Sequence, residues 1–212
     1  MNSSARKPLR ARALAIALCA MLAFVCVPTD ASAATSKNAK AHAAFERYAT
    51  KHLESSYPYF ESEDWLFYTS IGFYDIDKNG IDEMIYRRPG EEGLASYVIY
   101  SYYKGKVKKL CTVDGYSKYF AVYPKTHVVF VGWANGSGGD FYKVSSKKAV
   151  CLAKVSVVWS PASETYKDVY KVKNQKVTKA KYKKYIKSLK KGKKVKESKI
   201  KWRYLDEDAP QP

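Results

Sequence analysis

FYDIDKNGIDEMIY, residues 73–86, places Asp75, Asp77, Asn79 and Glu83 around a single glycine, Gly80, between two apolar flanks. The flanks, LFYTSIGFY before and EMIY after, carry the aromatic and β-branched texture of strands, so the stretch is expected to be a strand, a loop and a second strand. Counting from Asp75 as position 1, side-chain oxygens fall at 1, 3, 5 and 9, and the carbonyl of Ile81 at 7. A hard cation such as Ca²⁺ takes about six to eight oxygens, and alternate side chains plus one carbonyl deliver them within one tight loop. Gly80 permits the positive φ that closes such a loop. The expected ligand set is therefore Asp75, Asp77, Asn79, Ile81 and Glu83, with Ca²⁺ as the cation and Asp82 facing solvent. An Asx-rich turn without metal is the alternative, weakened by the mutual repulsion of crowded carboxylates.

Outward from this loop, strands are expected over 66–74, 83–87, 97–103, 107–113, 119–123, 128–133, 141–144 and 149–159, separated by short turns such as KGK at 104–106 and SSKK at 145–148. No helical stretch long enough for a crossover interrupts them, so the pairing is expected to be antiparallel. The segments YYKGKVKKLCTV, FYKVSSKKAVCLAKV and VYKVKNQKVTKAKY echo one another as three hairpins, stacked as a meander or as propeller-like blades. Ahead of them, Ala41, Ala44, Phe45, Tyr48 and His52 recur at helical spacing, which predicts a helix from Asn38 to Ser55. In TKAKYKKYIKSLKKG, Tyr182, Tyr185, Ile186 and Leu189 form one apolar stripe, Thr178 is positioned to cap and Gly192 to terminate. Val195 to Tyr204 fits a further strand. The fold class expected is mainly β (α+β), an antiparallel meander or blade-like set of hairpins with an N-terminal helix and a short amphipathic C-terminal helix.

The chain opens with Arg6, Lys7, Arg10 and Arg12 before an apolar run from Ala13 to Val27, followed by small residues at 31–33. This pattern is that of a secretory signal peptide over residues 1–33, the apolar run being short of the roughly 20 residues that span a bilayer. Residues 34–204 are then one β-rich domain, with a basic helix and strand over 166–204, and 205–212 a disordered tail. No transmembrane segment is expected after cleavage, and the protein is expected outside the cytoplasm. The net charge is +18. The signal segment holds four basic and one acidic residue, and the +15 that remains is matched by residues 166–203, with 17 basic and two acidic side chains. The rest is balanced. Lys183, Lys187, Lys190, Lys191, Lys193 and Lys194 are the candidate polyanion-binding residues, for anionic cell-wall or matrix polymers rather than nucleic acid. Cys111 and Cys151 occupy corresponding places in two of the hairpins and either form a disulfide or remain buried thiols.

The 75–83 segment resembles the first half of an EF-hand loop, but Tyr86 stands where an EF-hand has its bidentate glutamate. With strands on both sides, D-x-D-x-N-G-x-x-E is similar to the calcium hairpins of FG-GAP and integrin-type repeats. The run DIDKNGIDEMI, the later YVIYSYYKGKVKKL and the lysine-rich end together resemble a group of exported bacterial proteins. That resemblance implies a calcium-stabilised β domain without enzymatic activity. A secreted hydrolase is the alternative, but its candidate groups are isolated. Ser137 and His127 fit no nucleophile motif, His42 and His52 lack metal-ligand spacing, and Glu61, Glu63 and Asp64 fit a charged loop.

Overall fold

Along one strand, Ala95, Tyr97 and Ile99 belong to one buried cluster while Val98 and Tyr100 belong to another. A strand alternates its side chains between faces, so this segment has two apolar faces and its sheet must be covered on both sides. The computed structural model, which describes residues 29–53, 69–90, 94–116, 119–133 and 138–205, supplies both covers. The stretch to Lys37 is a unit of its own, and the fold described here is that of Asn38–Pro212. The expected signal peptide lies almost wholly outside the described residues, as do the carboxylates at 61–64, Ser137 and the tail beyond Leu205.

Helix α1 (Thr29–His52) is followed by strands β1 (Ser70–Tyr74), β2 (Glu83–Pro89), β3 (Leu94–Tyr103) and β4 (Lys106–Tyr116). Next come β5 (Ala121–Tyr123), β6 (Val128–Gly132), β7 (Gly139–Ser145), β8 (Lys148–Ser160), β9 (Thr165–Val172) and β10 (Gln175–Val177). Helix α2 (Lys179–Leu189) and the short strands β11 (Val195–Lys196) and β12 (Trp202–Tyr204) complete the order. One sheet runs β12-β1-β2-β3-β4 and the other β10-β9-β8-β7-β6-β5-β11. Every pairing is antiparallel. The arrangement is the meander, folded into two stacked sheets instead of blades.

Three cores follow from the alternation. Ile85, Tyr97, Ile99 and Val113 of the first sheet meet Val122, Val129, Val131 and Val144 of the second. The outer face of the first sheet, with Ile71, Met84 and Tyr86, packs on Ala41, Phe45 and Ala49 of α1. The outer face of the second, with Phe141, Val155 and Tyr170, packs on Tyr182 and Leu189 of α2. As anticipated, Thr178 caps α2 by accepting from the Lys181 amide at 3.3 Å, and Gly192 follows its end with φ +85°. Among the described residues no helix is long and apolar enough to cross a membrane.

Two elements differ from the sequence reading. Helix α1 begins at Thr29, ahead of the expected cleavage point after Ala33, and its last helical residue is His52. The single strand expected over Val195–Tyr204 is two, one in each sheet, because Ile200 between them drops into the inter-sheet core. Arg87 of β2 donates to Glu197 Oε1 at 2.8 Å and lies over the Trp202 ring, fastening this crossing. The echoing hairpins are β3–β4, β7–β8 and β9–β10, and the first two carry irregular registers beside Cys111 and Cys151. Both cysteines are free thiols, and burial pushes Cys111 up to about 12.

The closeness of the two sheets is testable at Gly115 on β4, where an added Cβ would stand 2.5 Å from Val131 Cγ1 and 2.8 Å from the Gly132 carbonyl of the opposite sheet. Gly115→Ala is expected to cost about 1–3 kcal/mol in chemical denaturation. A neutral effect would mean that the sheets do not meet there.

Candidate metal centre

The β1–β2 hairpin is paired in register from Ser70↔Arg87 to Tyr74↔Glu83, so the loop begins at Asp75 and returns to the sheet at Glu83. Ile76 inserts into the inter-sheet core and pins the loop inward. Lys78 and Gly80 both take positive φ, +60° and +83°, which reverses the chain within a few residues. The turn is then held by its own acids. Asp75 accepts from the amides of Asn79 and Gly80, each at 3.1 Å, and Asn79 Oδ1 accepts from the Ile81 amide at 2.7 Å.

Asp75, Asp77 and Glu83 converge, with one oxygen from each lying within 4.8 Å of the others. Glu83 is the unusual member, at 1 % exposure on the face that looks into the core between the sheets. Its Oε2 accepts from the Ile76 amide at 2.9 Å. Burial first, then the charge of Asp77, raises its carboxyl from the ordinary 4.5 to about 8. Asp77 Oδ2 accepts from the Ser146 amide in the β7–β8 turn at 2.7 Å, whereas its buried Oδ1 has no hydrogen-bond partner. These are hard anionic oxygens brought to one point, the donor set that calcium, manganese and magnesium take.

Of the expected ligands, the structure thus brings Asp75, Asp77 and Glu83 together, with Asn79 and Ile81 in the same turn. Asp82 departs from expectation. Instead of facing solvent it accepts from Asn38 Nδ2 at 3.1 Å and contacts His42 Nε2 at 2.8 Å, while its amide donates to Asn38 Oδ1 at 2.9 Å. His42 also lies against the Phe73 ring, 4.3 Å between centroids. Sequence reasoning missed Asn38, His42 and Ser146 as partners of this loop. Asn38 and His42 are one helical turn apart and so share a face, but nothing local pairs that face with a loop some 40 residues away.

The basic block is also placed. Lys183, Lys187, Lys190, Lys191, Lys193 and Lys194 are all exposed on and after α2. Lys190 differs, because its Nζ lies 4.8 Å from the Phe130 ring centroid and 5.3 Å from that of Phe141, and burial lowers its pKa. Its Nζ rests on the end of the α2 core while the residue stays exposed with its neighbours. No protein-family model, curated protein or solved structure matches the chain.

The raised Glu83 carboxyl has a stability consequence with a definite sign. In chelator, the native state keeps a proton that the unfolded chain releases near 4.5, so stability should fall as pH rises from about 4.5 to about 8 and level off above. Glu83→Gln should remove this slope, read as the denaturation midpoint against pH. A wild-type midpoint that rises through the same window would contradict the burial of an uncompensated carboxylate.

Proposed function

We propose that the chain is a non-enzymatic binding module whose β1–β2 loop takes a hard divalent cation, calcium in the first place, and whose lysine face meets an anionic polymer outside the cytoplasm. The observation that carries the cation reading is the convergence of three carboxylates within 4.8 Å, one of them the fully buried Glu83, beside the unpartnered Oδ1 of Asp77. Three negative charges at that spacing, with one removed from water, are unfavourable unless protons or a cation offset them. Asp75, Asp77 and Glu83 would supply anionic oxygens, with Asn79 and the Ile81 carbonyl as neutral ligands. Calcium suits the set better than magnesium because the donors come from a short irregular loop, and magnesium demands a near-octahedral shell.

The extracytoplasmic setting is supported by the charged, apolar and small-residue order of the first 33 residues. The polymer reading is supported by the concentration of excess charge at the C-terminal end and by the run of lysines exposed there. One face of α2 packs on the second sheet through Tyr182 and Leu189, leaving the other for charge.

The cation reading is tested by melting the protein with calcium chloride against sodium chloride at equal ionic strength. With ~1 mM free calcium and a dissociation constant near 10⁻⁴ M, linkage is expected to add about 1.4 kcal/mol, a few degrees in the midpoint. Asp77→Asn should abolish the shift. Asp82→Ala should lower the midpoint with and without calcium yet keep the shift, since its partners belong to α1. An unmoved wild-type curve would refute the cation site. Separately, retention on heparin should fall steeply with salt and be lost when Lys183, Lys187, Lys191 and Lys194 are changed to Glu. Equal retention by that variant would refute the lysine face.

A further inference from the structure

Trp159 and Tyr166 are paired across the outer end of β8 and β9, their ring centroids 5.0 Å apart, and are 48 % and 73 % exposed. Val157 and Val158 beside them are 59 % and 49 % exposed. Among the described residues no third strand pairs with this end of the hairpin. The partner strand β7 last pairs at Ala153 and β10 last pairs at Tyr170, so from Ser156↔Val169 outward β8 and β9 pair only with each other. Five residues of free ribbon extend about 17 Å at antiparallel rise. A two-stranded ribbon that bares aromatic and β-branched side chains to water is marginal unless something takes them up.

Alternation fixes which face each side chain uses. Val155 and Tyr170 lie on the face covered by α2, so Val157, Trp159 and Tyr166 continue that face beyond the helix. Val158 points to the other side, opposite Lys167. The tip is therefore apolar chiefly on the face that continues from α2, while the other face sets Val158 opposite Lys167 with Ser160 and Thr165 beyond them. Charge selects the medium. Lys167 and Lys171 line the ribbon, Lys179 lies 6.0 Å from the Tyr170 ring at the start of α2, and the exposed lysines of α2 follow. Against them stand Glu164 in the turn and Asp168, which accepts from the Tyr170 hydroxyl at 2.8 Å. The balance is positive, and a second copy of a chain carrying +15 beyond its first 33 residues would be repelled.

We propose that the β8–β9 ribbon is a membrane-docking finger that inserts Val157, Val158, Trp159 and Tyr166 into the interface of an anionic phospholipid bilayer while the lysines stay among the headgroups. Tryptophan and tyrosine favour that depth because each joins an apolar body to a polar edge, and lysine stems reach back to the phosphates. An interfacial element buries its apolar groups about 5–10 Å deep, well within the reach of this ribbon. The proposal shares the basic face of the preceding section but needs the apolar tip in addition, so the two readings can fail separately.

The test is flotation of the full chain with vesicles of mixed phosphatidylglycerol and phosphatidylcholine, and with phosphatidylcholine alone, beside heparin retention of the same samples. The wild type is expected to float with the anionic vesicles only. Trp159→Ala with Tyr166→Ala should weaken that partitioning by about tenfold or more at an unchanged melting midpoint, and keep heparin retention. The four-lysine variant should lose both. The finger is overturned if the wild type ignores the anionic vesicles while binding heparin, or if the aromatic variant floats as well as the wild type. It is likewise overturned if that variant loses heparin binding equally, or if the wild type elutes as a dimer that the aromatic variant breaks.

Discussion

A carboxylate that comes out of water between two sheets must find a proton, a cation or a set of donors, and Glu83 is placed so that its answer bears on most of the fold. It ends the loop of the β1–β2 hairpin, and the loop's other acids reach in three directions. Asp75 closes the turn on itself, Asp77 binds the Ser146 amide of the second sheet, and Asp82 binds Asn38 and His42 of α1. Helix, first sheet and second sheet are thus tied through one short segment. Ile76 adds the apolar anchor, seated in the core between the sheets.

The opposite end of the first sheet is fastened differently, by the C-terminal crossing. Strand β11 extends the second sheet at β5 and β12 extends the first at β1, so a few residues add an edge strand to each. Arg87 joins the two regions, since it donates to Ser70 on β1 and to Glu197 between β11 and β12. Between these fastenings the stability rests on the three apolar cores, which is the usual balance for a fold of this size. The polar ties select the stacking.

Much of this was legible from residue pattern. Strand texture and turn chemistry located the strands and the antiparallel pairing, the Tyr182–Leu189 stripe located α2, and the Asp75–Glu83 spacing located the convergence of carboxylates. What escaped was non-local. A meander and a set of blades share the same alternation along each strand, and only the partition of side chains into inner and outer clusters separates them. Asp82 read as a solvent-facing position because loop spacing says nothing of the helix that lies beyond it. Lys190 looked like its neighbours in a lysine run, and its contact with Phe130 and Phe141 depends on where α2 ends above the sheet. Strand β8 was legible, but β9 opposite its outer end was not, and that among the described residues only β9 pairs with β8 beyond Ser156 follows from the lengths of β7 and β10.

If the loop at 75–83 is the tie between the layers, loading it should stiffen all of them together. Amide hydrogen exchange of the full chain with and without calcium reads this most directly. Slower exchange is expected at the loop amides, at Ser146 in the β7–β8 turn and along α1 near Asn38 and His42, in step as calcium is raised. Exchange unaffected by calcium, or slowed in the exposed turn alone while Ser146 and α1 stay as they were, would contradict it.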